Sequence, residues 1–221
     1  MMFAVTIGEV GLQTAALVQT HEISRYIPAV SHLLLATIMI ASSWVGWTLS
    51  RAPGGQLDVR GIFEWEFLVL LADVGLVIVY FILVRTVDFG AEGRPRIDSA
   101  SIVASWIVWI FWLYLVWDIL TKIFMYPKQP KTSPPGTWFD EAGKRMIPTV
   151  ICLVLAYVTK ALISSADFPH WVTADLALLS LVLLFRALKG WSRPWIFVCS
   201  MGLLLGILWT RFAWPAPWAG F

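Results

Sequence analysis

The chain has 221 residues, of which 59% are hydrophobic and only 14% charged, with a formal net charge of +2; an ordinary soluble domain is about 25% charged. Its mean hydropathy is +0.76 and its few charges are dispersed, which excludes a nucleic-acid binder with a basic stripe and points to a chain made for lipid. The two cysteines, Cys152 and Cys199, lie inside apolar runs and read as small buried hydrophobes rather than a disulfide or a metal site.

In chain order, residues 1–26 form an N-terminal amphipathic or membrane-embedded helix. Glu9, Gln13, Gln19 and Glu22 interrupt its apolar run, and without a basic start or a small-residue cleavage site it does not read as a signal peptide. It is expected to lie at the interface or pack on the bundle, with a seventh span as the alternative. The first span runs from 27 to 49, opened by Pro28 and closed by the turn-forming SRAPGG. Its polar or small positions His32, Ala36, Met39, Ser43 and Gly46 recur every three to four residues, so that face looks at protein.

The second span, 63–84, carries Asp73 close to its middle. Glu66, Asp73 and Tyr80 are seven apart and stack along one side of the helix, drifting by only about 20° per heptad. A polar, glycine-rich linker at 85–98 leads to the third span, 101–126. There Trp106, Trp109 and Trp117 share one face, and Phe111, Tyr114, Asp118 and Lys122 the opposite one. After it comes a proline-rich basic loop, 127–145, with Lys128, Lys131, Lys144 and Arg145. Three further spans lie near 147–163, 172–188 and 194–211, the last with Gly202 and Gly206 spaced for close helix contact, and an aromatic tail fills 214–221. The expected fold is therefore all-α: a polytopic transmembrane bundle of six spans, occupying 27–213, plus the N-terminal helix.

Lys and Arg in the loops set the orientation. Arg51, Arg60, Lys128, Lys131, Lys144, Arg145, Lys189 and Arg193 lie on one side, against Arg25, Arg94 and Arg96 on the other. The proline-rich loop is thus expected in the cytoplasm and the C-terminus outside, in a cell membrane.

Ionisable groups in a span are expensive, so each is a functional hypothesis first. Glu66, Asp73 and Tyr80 form an ion path on this reading; the plainer alternative is an Asp73 that only hydrogen-bonds helices together. Asp118 and Lys122 are spaced as an intrahelical charged pair. Trp106, Trp109 and Trp117 form a gate if they line a pore, or a subunit contact if they face outwards. His32 and Ser43 are candidate polar relay groups, but His32 lacks a second histidine at metal-ligand spacing, so no metal is expected. No GxSxG, Walker loop, CxxC or haem-attachment motif occurs, so no enzyme and no cofactor are expected. The function expected is an oligomeric ion channel or a proton- or cation-conducting subunit, its partners being the lipid bilayer and further copies of itself. The alternative is a non-catalytic anchor or sensor whose basic loop recruits a cytoplasmic protein.

Overall fold

A computed structural model describes residues 2–21, 23–50, 65–89, 95–121, 137–164, 171–190 and 194–213. The order of elements is α1 (Met2–Gln19), a short 3-10 turn (Ile23–Tyr26), α2 (Ile27–Ser50), α3 (Trp65–Val84), β1 (Val87–Phe89), β2 (Pro95–Ile97), α4 (Ala100–Ile119), α5 (Thr137–Ser164), α6 (Trp171–Leu188) and α7 (Pro194–Ala213). Within the described residues the chain is helical throughout, apart from one antiparallel hairpin in which Val87 faces Ile97 and Phe89 faces Pro95.

Helical ends meet in an alternating, up-and-down pattern. Ser31 near the start of α2 bonds Asp175 near the start of α6, and Ser101 at the start of α4 bonds Ser164 at the end of α5. Gly75 of α3 lies against Leu113 of α4, which runs the opposite way. α4 packs on α3, α5 and α6, α2 packs on α6, and α7 covers the far side of α6. The core between them is apolar: Met39 and Ile40 of α2, Ile107, Ile110 and Phe111 of α4, and Leu178, Leu181 and Phe185 of α6 are almost wholly enclosed. At about 25 cal/mol per Å2 such burial drives folding in water; here lipid-facing surface is equally apolar, so close packing and polar contacts between helices carry the specificity.

Four helical segments are long and apolar enough to cross a membrane: Ile23–Thr48, Trp65–Val84, Ala100–Ile119 and Met146–Ser164. That is fewer than the six spans expected. The described apolar part of α7, Phe197–Gly206, is shorter. α6, with 18 residues, rises about 27 Å, just under a ~30 Å hydrocarbon core.

One boundary differs from the expected one, the start of α5. α5 starts at Thr137, so the segment 137–145, expected as loop, is helical and carries Lys144 and Arg145 in its backbone course. Its polarity does not break a helix: Asp140 with Lys144, and Glu141 with Arg145, have the spacing that supports one. Pro148 consequently falls inside the helix rather than in its first turn. The third span's helix is described to Ile119 and a wider turn at 120–121; Lys122, Lys128 and Lys131 lie outside the described residues.

The linker at 85–98 holds the hairpin, which packs on α1. α1 in turn packs against α3 and α2. Gln13 is buried and accepts a bond from the backbone N–H of Phe89 at 3.1 Å. Arg85 bridges Glu9 at 3.1 Å and Asp88 at 3.0 Å. Two of the polar residues that interrupt α1, Glu9 and Gln13, are therefore its docking groups.

Candidate functional site

The centre of the bundle is a polar cluster drawn from four helices. Tyr80 of α3 and Tyr114 of α4 are hydrogen-bonded through their hydroxyls at 2.7 Å, and Ser43 of α2 lies 2.6 Å from the first and 2.8 Å from the second. The direction of the side chains explains the meeting. A helical Cα–Cβ bond leans toward its own N-terminus, and because α3 and α4 are antiparallel the two phenols lean toward each other. Each hydroxyl donates once and accepts at least once, so the three close a ring of satisfied bonds.

Arg186 of α6 reaches this ring. Its Nη2 donates to the Tyr114 hydroxyl at 2.8 Å, and its guanidinium lies 5.3 Å from the centre of the Tyr114 ring and 5.1 Å from that of Phe185. Phe185 and Tyr114 are themselves stacked at 5.1 Å. Space for the guanidinium is made by Gly46 of α2, where a Cβ would collide with Nη1. Arg186 is only 7% exposed. Its Nε has no hydrogen-bond partner, and no carboxylate forms an ion pair with it among the described residues. An arginine cannot shed its charge, so a fixed positive charge stands in the apolar interior against hydroxyls and ring faces alone.

One turn further along α6, Lys189 grips both carboxylate oxygens of Asp118 at 2.6 and 2.5 Å. Thr149 of α5 donates to the same carboxylate at 2.5 Å. Asp118 is 1% exposed, so this pair ties α4, α5 and the end of α6 in a place where losing one partner would strand a charge. Gly190 follows with φ of 111°, a left-handed turn that a side chain would strain, and it closes α6 directly after the lysine. Near the other end of α6, Asp175 accepts from Ser31 and lies 3.3 Å from Nε2 of His32, all three on or against α2. Between these polar layers lie Leu178, Leu181 and Val182, each fully buried.

The residues singled out in the sequence fall into distinct places. Glu66, Asp73 and Tyr80 all lie on the buried face of α3; Tyr80 joins the hydroxyl ring, and Asp73 accepts from the indole of Trp47 at 3.3 Å. Asp118 is engaged by Lys189 and Thr149, partners distant in sequence; Lys122, its expected intrahelical partner, lies outside the described residues. His32 and Ser43 belong to different layers, His32 with Asp175 and Ser43 with the tyrosines. Trp109 is 58% exposed on the outer surface, Trp106 is partly buried against the core, and Trp117 is half-buried with its indole N–H enclosed and unbonded among the described residues. The three thus do not line the interior together. Gly202 and Gly206 meet nothing within 4 Å among the described residues; Leu204, 1% exposed, makes the contact with α6 instead.

The sequence reading passed over Arg186, Lys189, Asp175 and Tyr114 as site residues. A signal existed: Asp175 and Arg186 are eleven residues apart, three turns that bring them within about 20° of one face, and Lys189 is the i+3 neighbour of Arg186. Charges near the ends of a span pass for interfacial groups that snorkel outwards, whereas here the arginine turns inwards, along its Cα–Cβ direction.

Comparison of the chain with family models, with curated proteins and with solved structures finds no match.

Proposed function

We propose that the protein is a multi-pass membrane protein that conducts or translocates ions through the interior of its helical bundle. The observation that carries this reading is the burial of Arg186 in mid-bundle beside the Ser43, Tyr80 and Tyr114 hydroxyls. Intramembrane charges are costly and face a bundle interior or a water-filled path when they are kept. Here such groups come from both walls of the bundle: Glu66, Asp73 and Tyr80 on α3, and Asp175, Arg186 and Lys189 on and after α6. In this proposal α6 and α7 also cross the membrane, completing six spans after α1, with the proline-rich loop in the cytoplasm as the lysine and arginine bias requires. Copies of the chain associate through the aromatic outer side of α4, where Trp109 and Trp112 are exposed.

The test is ion flux through purified protein in liposomes, wild type beside Arg186→Gln and Asp73→Asn, over a range of pH. Flux in the wild type that falls by about tenfold or more in Arg186→Gln is the expected result, since a group that contacts a buried charge is worth about 1.5–3 kcal/mol. A well-folded wild type without flux at any pH and voltage would remove this reading.

A further inference from the structure

We infer that Arg186 is the selective element of this interior and binds a small inorganic anion; the inference rests on the ion-handling function proposed above and supplies the sign of the ion. Four observations support it. The guanidinium is nine-tenths buried and permanently charged. No described carboxylate pairs with it: Asp118 is held by Lys189 and Thr149, Asp73 accepts from Trp47, and Glu66 makes no ion pair with Arg186. Asp175 is eleven residues away along α6, bound to Ser31. Lastly, one N–H donor of the guanidinium itself, Nε, is buried and lacks an acceptor among the described residues.

An unused donor on a positive charge calls for a guest that only accepts. A small anion satisfies both demands, by neutralising the guanidinium and by accepting from the leftover Nε–H. A cation meets the opposite: a fixed positive charge in low dielectric repels it, which is how an arginine excludes cations from a pore. Gly46 belongs to the same device, because its missing side chain leaves the guanidinium room to sit inside rather than to extend to the surface.

The test melts the purified full-length protein in sodium nitrate and in sodium gluconate at equal ionic strength, gluconate being too large to enter. Nitrate is expected to raise the wild-type midpoint in a concentration-dependent way, through ligand binding to the folded state. Arg186→Lys keeps part of this response, and Arg186→Gln loses about tenfold or more of the apparent affinity. A wild type that melts alike in the two salts overturns the inference, with no need for any variant to fold. So does an Arg186→Gln protein that responds as the wild type does. If nitrate stabilises Asp73→Asn but not the wild type, Asp73 is the counter-charge and the inference fails. Nitrate binding without ion flux would keep this site and remove the conducting function; flux without nitrate binding would do the reverse.

Discussion

Tyr114 is the residue on which the interior depends, because it is both a member of the hydroxyl ring and the hydrogen-bonded partner of Arg186. Tyr114→Phe keeps the ring stacked on Phe185 but leaves Nη2 of a buried cation without its acceptor, at a cost of about 1.5–3 kcal/mol. Tyr80→Phe removes a hydroxyl that bonds only neutral partners, so about 0.5–1.5 kcal/mol is expected. Denaturant unfolding in detergent measures both, and a Tyr80→Phe loss as large as that of Tyr114→Phe would contradict the ordering. Asp118→Asn takes away the carboxylate that Lys189 grips; buried pairs lose about 3–5 kcal/mol on such a change, and the lower end is expected because Lys189 is 20% exposed. Adding Lys189→Met to Asp118→Asn should restore part of that stability, and failure to do so would mean that the aspartate is held by Thr149 alone. At this scale the sequence was half legible. The stripe of Glu66, Asp73 and Tyr80 could be read because a seven-residue period keeps one face within a single helix. The partners of Asp118 and Tyr114 could not, since they come from α5 and α6 and no local period encodes a contact between distant segments.

Between elements, the two glycine sites of similar appearance play opposite parts. Gly46 borders the Arg186 guanidinium, whereas Gly202 has nothing within 4 Å among the described residues. Gly46→Ala should therefore destabilise by about 1–3 kcal/mol through overpacking. Gly202→Ala should be neutral or stabilise by up to about 1 kcal/mol, the helix-propensity difference. Equal effects of the two changes on thermal stability would show that α2 does not approach α6 as closely as described. Hydropathy located α2, α3, α6 and α7 to within two residues at their starts, because entry into an apolar run is a steep compositional change. It misplaced the start of α5 by ten residues, since the polar turns at 137–145 are helix-compatible and carry no hydropathy signal. The hairpin at 87–97 escaped for a related reason: strands of three residues are too short to show an alternation.

For the molecule as a whole, the layered polar groups divide into one set near the starts of α2 and α6 and another around Arg186 and Asp118, with Leu178, Leu181 and Val182 between them. An open aqueous pore would not keep Leu178, Leu181 and Val182 fully enclosed, so passage requires the helices flanking α6 to part. On the proposed function, conduction is therefore a gated event, with rates set by helix motions of microseconds to milliseconds. The measurement that tests the account most directly is the reversal potential of purified protein in a planar bilayer under a potassium chloride gradient. A fixed interior arginine predicts a reversal potential displaced toward that of chloride, and a displacement that shrinks in Arg186→Gln. A reversal potential toward that of potassium, or a bilayer that stays silent with well-folded protein in it, would contradict the account.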